Sequence, residues 1–276
     1  MSIPFVKMHG LGNDFVIVDR GTLRAPLNAD QVRYLADRRR GVGCDQLFVV
    51  DSEQADVDLG VTIYNADGSR AQQCGNGMRC LALYARRKGL ISGDRVALAV
   101  GSRLIEAELL ADDRVRVDMG VPELEPGAVA FVAGRRSQRY ALRCGDETIA
   151  FGIASLGNPH AVLVVDRVND PRCAKIASLM QTHERFPEGV NVGFMEICAP
   201  DHIRLRVFER GAGETPACGS GACAALVVGR DQGLLANAVA VDLPGGRLDV
   251  DWDGEGESVW LVGPATRVFE GTVELE

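Results

Sequence analysis

Lysine is nearly absent from this chain: Lys7, Lys88 and Lys175 stand against 27 arginines. None of the three lies in a Gly/Ser-rich phosphate-binding context, so a Schiff-base lysine carrying pyridoxal phosphate is unsupported. Histidine is scarce too, with only His9, His160, His183 and His202. The eight cysteines contain no Cys-x-x-Cys pair, so the common zinc and thioredoxin spacings are missing. No apolar run approaches the roughly 18 residues of a membrane span. Positive charge is also short. A net charge of −8 and a pI near 5.2 disfavour a nucleic-acid partner, which needs a basic surface. The phosphate-loop pattern Gly-x-x-x-x-Gly-Lys-Ser/Thr and the Gly-x-Ser-x-Gly elbow are both absent. Gly41-Val-Gly43-Cys-Asp-Gln46 lacks the third glycine of a dinucleotide fingerprint. The stretch Met1-Ser-Ile-Pro-Phe-Val-Lys7 shows no basic region leading into an apolar one, so the expectation is a cytoplasmic protein with reduced thiols.

What is present is a soluble globular composition, 46% hydrophobic and 25% charged over 276 residues, enough for one large domain or two ordinary ones. The most informative feature is a weak internal duplication. Gly12-Asn13-Asp14-Phe15 and Gly157-Asn158-Pro159-His160 each precede a strand-like run, at an offset of 145. Gln46 and Asn191 each open another such run at the same offset. Tyr64-Asn65 leads into Cys74-Gly75-Asn76-Gly77, and Phe208-Glu209 leads into Cys218-Gly219-Ser220-Gly221, at an offset of 144. Three segments in one order at nearly constant spacing imply two similar domains with equivalent loops across a cleft.

Short Val/Ile/Leu-rich runs between Gly, Pro and Asp predict strands at 47–51, 57–64, 95–100, 103–110, 114–118, 160–165, 192–197, 202–208, 238–243, 247–252 and 257–262. Many follow one another through short turns, which favours antiparallel pairing. Helices are predicted at Asp30–Arg39, with Asn28 or Asp30 as cap, and at Asp170–Met180. Two more follow Cys74 and Cys218, ending near Arg86–Gly89 and Arg230–Gly233. The run Gly221–Gly229 is apolar on every side, as a wholly buried helix is. The fold class is therefore α+β: two pseudo-symmetric domains, each a mostly antiparallel sheet around a central buried helix, with the active site in the cleft between them.

Each half places a cysteine directly before Gly-x-Gly and a buried helix. Unpaired N–H groups and the helix dipole there favour an anion, either a thiolate or a substrate carboxylate. Two thiols related by pseudo-twofold symmetry can take a proton from one face of a carbon and deliver one to the other. That is the chemistry of a cofactor-independent, two-base racemase or epimerase. Cys44, Cys80, Cys144, Cys173, Cys198 and Cys223 read as packing residues. Cys74/Cys80 and Cys218/Cys223 are six and five apart, which puts neither pair on one helix face, so no metal site is expected. Asn13, Gln46, Asn65, Asn158, Asn191, Glu209 and Arg210 recur in the duplicated loops and are expected to converge on one site. Glu209-Arg210 suits a zwitterion, and His160 is placed by a Gly-Asn-Pro turn to accept a proton.

These residues resemble the diaminopimelate epimerase family. The matching stretches are Met8–Phe15, Gly41–Gln46, Tyr64–Ser69, Gln73–Cys80, Gly157–His160, Gly189–Asn191 and Glu209–Cys223, in the family's order. Tyr64 stands where Phe is common, and Cys44 where a small residue is expected. The resemblance implies interconversion of LL- and meso-2,6-diaminopimelate, in lysine and peptidoglycan precursor biosynthesis, with no pyridoxal phosphate, other cofactor or metal. It implies Cys74 and Cys218 as the acid/base pair, with His160 and Glu209 assisting. Gly75, Asn76, Gly219 and Ser220 would hold the carboxylate at the reacting centre. Asn13, Gln46, Asn65, Asn158, Asn191, Glu209 and Arg210 would complete the cage. It also implies a homodimer of two-domain subunits, residues 1–118 plus 264–276 carrying Cys74 and residues 119–263 carrying Cys218. The alternatives are a related racemase of proline or histidine, and a thiol redox or metal-binding protein.

Overall fold

A computed structural model of the chain describes residues 2–52, 57–71, 75–145 and 147–275. It mixes strands with a few helices, as an α+β fold requires, and divides into two compact units, Met1–Val117 with Gly263–Glu276, and Asp118–Val262. The first unit contains β1 (Ser2–Gly10), β2 (Asn13–Asp19), α1 (Ala29–Ala36), β3 (Gln46–Asp51), β4 (Leu59–Asn65), β5 (Arg70–Ala71) and α2 (Gly75–Arg87). It continues through β6 (Arg95–Val100), β7 (Arg103–Leu109) and β8 (Arg114–Asp118), and takes back β18 (Thr266–Glu274). The second holds β9 (Tyr140–Cys144), β10 (Glu147–Ser155), β11 (Pro159–Val164), α3 (Arg172–Gln181), β12 (Asn191–Ala199) and β13 (His202–Glu209). After these come β14 (Gly213–Thr215), α4 (Gly219–Asp231), β15 (Ala238–Leu243), β16 (Gly246–Trp252) and β17 (Val259–Pro264).

The two units repeat one topology. In the first, the strands follow β18-β1-β2-β3-β4-β6-β7-β8, with β5 and β6 sharing the far edge of β4. In the second they follow β9-β10-β11-β12-β13-β15-β16-β17, with β14 and β15 sharing the far edge of β13. The returning strand β18 lies on β1 as β9 lies on β10. Most pairings are antiparallel, as the short turns predict. Parallel pairs, which the turns did not predict, occur at β2/β3 and β11/β12, where α1 and α3 make the crossovers, and at β4/β6 and β13/β15, where α2 and α4 do. A parallel pair needs such a connection because its strands start at the same end.

The topology also gathers the polar residues. β2 and β3 start where antiparallel β4 ends, so Asn13, Gln46 and Asn65 share one end of the first sheet, beside the start of α2. By the same logic His160, Asn191 and Glu209 share one end of the second sheet, beside the start of α4. The equivalence extends to register: Phe15 pairs with Gln46 as His160 pairs with Asn191, 145 residues on.

α1 starts at an Asn28 capping box and stops at Ala36, short of the predicted Arg39. Asp37 is extended, and its carboxylate accepts from the backbone N–H groups of Arg39 and Arg40, which competes with a further helical turn. α4 is buried at Gly219 and throughout Gly221–Gly229, and α2 throughout Asn76–Ala85. The opposite faces of the central strands meet a second layer: Val32 and Leu35 of α1 in one unit, and Ala177 and Met180 of α3 with Phe131, Phe151 and Phe186 in the other. Strands buried on both faces read as continuous apolar runs, as Val16–Val18 and Ala161–Leu163 do. Cys44, Cys80, Cys144, Cys173 and Cys223 are buried as expected, whereas Cys198 is exposed, on the half of β12 that leaves the core.

α4 lies so close to β10 that a Cβ on Gly152 would fall 2.4 Å from a methyl of Val228. Gly152→Ala should therefore destabilise the protein by about 1–3 kcal/mol through overpacking. Urea unfolding measures this, and a variant as stable as wild type would mean that α4 has room to move.

Candidate active site

The second unit assembles a compact hydrogen-bonded cluster at the start of α4. Cys218 is the N-cap, in extended conformation, and its sulfur accepts from the Gly221 N–H at 3.3 Å. A Cβ on Gly221 would sit 2.9 Å from Val207 and 3.2 Å from that sulfur, so a glycine is what lets the thiol fold back over the first turn. The Ser220 hydroxyl lies 3.6 Å from the sulfur and 3.0 Å from His160 Nε2. Asn158 closes the ring: its Nδ2 donates to Ser220 Oγ at 3.2 Å, and its Oδ1 lies 3.1 Å from His160 Nε2. An amide oxygen only accepts, so this contact assigns the imidazole as the Nε2–H tautomer. Ser220 is then free to turn its own proton toward the sulfur.

Burial sets the protonation of this cluster. His160 is 1% exposed, and desolvation, helped by the Arg210 charge, lowers its pKa to about 3. Desolvation likewise pushes the Cys218 thiol well above its ordinary value, and the Glu209 carboxylate beside it adds to the effect. Hydrogen bonds from Ser220 and the Gly221 N–H act the other way and do not overcome it. The helix start, expected to favour a thiolate, therefore holds a neutral thiol here. Glu209 accepts from the Thr215 hydroxyl at 2.5 Å. Asn191 donates to the Pro159 carbonyl at 2.9 Å and accepts from the Arg210 N–H at 2.9 Å. The Arg210 guanidinium is anchored at 2.7 Å on the Glu188 carbonyl.

The first unit builds the equivalent end differently. Asn76 Nδ2 donates to Asn13 Oδ1 at 3.2 Å, the counterpart of the Ser220–Asn158 contact, and Gln46 donates to Asn65 Oδ1 at 3.0 Å. Behind Asn13 stands an ion network. Asn13 Nδ2 donates to Asp45 at 2.8 Å, and Arg38 bridges Asp45 and Asp14 at 2.7 Å each. Lys7, one of the three lysines, is buried against Asp14 at 2.7 Å and also donates to the Gly43 carbonyl. Burial alone would raise the Asp14 carboxyl, but hydrogen bonds from Arg38 and Lys7 outweigh it and hold it well below the usual carboxylate range.

Of the residues expected from the sequence, the second unit thus brings together Cys218, His160, Asn158, Asn191, Glu209, Arg210, Gly219 and Ser220. The first brings together Asn13, Gln46, Asn65 and Asn76, with Gly75 opening α2. Cys74 lies outside the described residues. Thr215, Asp45, Arg38 and Lys7 were not singled out by sequence reasoning. Thr215 had a signal, since it lies inside the run Glu209–Cys223. Asp14 and Asp45 lie inside matching runs as well, but their joining through Arg38 and Lys7 had no signal, because it links residues distant in the chain.

Solved structures share this fold. A hydroxyproline epimerase from Agrobacterium vitis matches with a TM-score of 0.71 at 16% identity, covering 99% of this chain and 92% of that one. A PhzF-family phenazine biosynthesis protein from Bacillus anthracis matches with a TM-score of 0.70 at 14% identity over both full chains. The chain thus has the α+β fold of these two structures, and in it a thiol caps a buried helix. The diaminopimelate epimerase family profile matches residues 5–125 and 152–268. A diaminopimelate epimerase from Thioalkalivibrio sulfidiphilus (strain HL-EbGR7) is 50% identical, and one from Alkalilimnicola ehrlichii (strain ATCC BAA-1101 / DSM 17681 / MLHE-1) is 49% identical, each over the full length of both chains. This chain belongs to the diaminopimelate epimerase family.

A histidine at 6.5 when unfolded and about 3 when folded gives the unfolded chain an extra proton between those values, so stability falls as pH drops through that window. Unfolding free energies should decline from pH 6.5 toward pH 4 in wild type, and less steeply in His160→Gln. Equal slopes would show that His160 titrates in the fold as it does in the unfolded chain.

Proposed function

We propose that this protein is a cofactor-independent isomerase interconverting LL- and meso-2,6-diaminopimelate, acting in the cytoplasm in lysine and peptidoglycan precursor biosynthesis. Full-length identity of about half to enzymes of that name carries the reading. The thiol at a helix start, in a motif that recurs 144 residues earlier at Cys74, supports the chemistry. Residues 1–118 with 264–276 and residues 119–263 are its two epimerase domains.

Cys218 enters as the acid, because burial and Glu209 keep it protonated. Cys74 enters as the thiolate. In one direction the Cα–H bond breaks and its proton passes to the Cys74 sulfur. The Cys218 S–H bond breaks and its proton reaches the opposite face of the same carbon. The pair is left with inverted protonation, ready for the reverse reaction or for resetting by exchange with water. A free thiol has a pKa of about 8.5 and an amino-acid α-carbon is far less acidic, so the carbanion needs strong stabilisation. The N–H groups opening α4 at Gly219 and Ser220, and α2 at Gly75 and Asn76, supply it by holding the carboxylate as charge moves onto it. Glu209 and Arg210 meet the ammonium and carboxylate of an amino-acid centre. Asn13, Gln46, Asn65, Asn158 and Asn191 fix the rest of the substrate. His160 keeps Ser220 and Asn158 in place around the acid.

The enzyme acts as a homodimer. β18 is exposed along most of its length, its one pairing among the described residues is with β1, and it carries the exposed Val268 and Phe269. An open edge of that kind is a surface for a second chain. Sedimentation should give twice the 29.6 kDa chain mass, and a purely monomeric active enzyme would refute the assembly.

The deciding experiment is proton NMR of LL-diaminopimelate in D2O with reduced enzyme and no added cofactor. Deuterium should enter the α-position as meso product appears, and Cys74→Ala and Cys218→Ala should each abolish turnover. Turnover of proline or histidine in its place would keep the two-thiol chemistry and change the substrate. Near-normal epimerisation by either variant would end the two-base scheme. No exchange on any amino acid would favour a redox or metal-binding role.

A further inference from the structure

Glu209 carries two tasks in the proposed function, one toward the substrate and one toward Cys218, and a carboxylate on a two-methylene stem does not hold a position by itself. The hairpin that follows it supplies the restraint. The chain turns back after Glu209 and lays β14 antiparallel on the end of β13, with Glu209 opposite Gly213, Phe208 opposite Glu214 and Val207 opposite Thr215. Residues two apart on a strand share a face, so Thr215 lies diagonally across from Glu209 on the same side of the hairpin. Its hydroxyl donates to Glu209 Oε1 at 2.5 Å. On the other side, Glu214 takes a two-pronged hydrogen bond from Arg206, both contacts at 2.7 Å, which anchors β14. Three residues after Thr215 the chain reaches Cys218. The first unit repeats the hairpin, with Ile63 opposite Ala71 and Tyr64 opposite Arg70, but Ala71 in the place of Thr215 has no hydroxyl, and Asn65 Nδ2 donates instead to Ser69 in the turn at 3.0 Å. Asn65 is the counterpart of Glu209, 144 residues earlier. The hydroxyl on the return arm is therefore a feature of the half that carries Glu209.

We propose that Thr215 is a positioning residue, whose hydroxyl fixes the Glu209 carboxylate against Cys218. Part of this rests on the reading of Cys218 as the catalytic acid, but the geometry does not. Among the described residues, Glu209 from β13 is the charged group that bears on that sulfur, and the Arg210 charge after β13 bears on His160 from β11. Of these Glu209 acts on the thiol directly, and it does so only while its carboxylate stays put. Released from Thr215, the carboxylate swings toward water and the thiol loses a neighbouring negative charge. Cys218 then ionises at lower pH, and the acid is lost earlier as pH rises.

The test compares Thr215→Val, which keeps the shape, with Thr215→Ser, which keeps the hydroxyl. In substrate-free enzyme labelled at the cysteine β-carbons, the Cys218 resonance, identified by its loss in Cys218→Ser, should titrate at lower pH in Thr215→Val than in wild type. Thr215→Ser should restore the wild-type behaviour. A hydrogen bond to a charged group lost at the site predicts that Thr215→Val turns over LL-diaminopimelate about tenfold more slowly. The alkaline limb of its pH–rate profile should shift in the same direction as the titration. Combined with Glu209→Gln it should cost nothing further, because Thr215 acts only through that carboxylate. An unchanged or raised Cys218 titration in Thr215→Val, or effects that add in the double variant, would overturn the proposal. The titration needs no substrate, so it still decides the role of Thr215 if wild type fails to epimerise diaminopimelate. Should Thr215→Val not fold, Thr215→Ala carries the same expectation.

Discussion

A helix that is apolar on every side has to be buried, yet its first turn ends in N–H groups that no helical carbonyl can satisfy. α4 is such a helix, and the second unit is organised around that conflict. The strands cover its sides, and Gly152 lets it settle close against β10. Its start is then confined to the one end of the sheet where β11 and β12 begin and β13 ends. Polar groups have to collect there. Cys218 takes the Gly221 N–H, and Ser220, Asn158 and His160 satisfy one another. The N–H groups at Gly219 and Ser220 are the ones that hold the substrate carboxylate in the proposed mechanism.

Enclosure then decides the chemistry of these groups. Taking a charge out of water is costly, so an enclosed imidazole and an enclosed thiol both stay neutral. Helix-start donors would favour a thiolate in an open site, and here they are outweighed by burial and by Glu209. A neutral thiol is the state from which a proton can be given. His160, held as the Nε2–H tautomer with a pKa near 3, orders the hydroxyl beside that thiol and accepts no proton in the resting state.

The two halves solve one architectural problem with different materials. Asn76 contacts Asn13 where Ser220 contacts Asn158. The first half braces Asn13 through Asp45, Arg38, Asp14 and Lys7, a network of charges that compensate one another. The second half surrounds its thiol with neutral hydrogen bonds from Ser220 and the Gly221 N–H and with the Glu209 carboxylate.

Much of this was legible from the chain alone. The apolar run after Cys218 could only be a buried helix, and the duplicated Gly-Asn turns located equivalent strand starts because turn chemistry is local. The family followed from the length and order of those motifs. Their constant offsets even carry the pairing of His160 with Asn191 and of Phe15 with Gln46. The parallel pairs were not legible, since strands joined through a helix leave no turn signature. Nor were the bond from Thr215 to Glu209, the ion network behind Asn13, or the exposure of Cys198 at the far end of β12. Residue order and periodicity determined the helices, most of the strands and that the pattern comes twice, while β1, β9, β10 and β18 were not among the predicted strands. Tertiary structure decided which polar groups meet and which keep their protons, because hydrogen-bond partners and desolvation depend on what else is packed around a group, and that is set by strands distant in sequence.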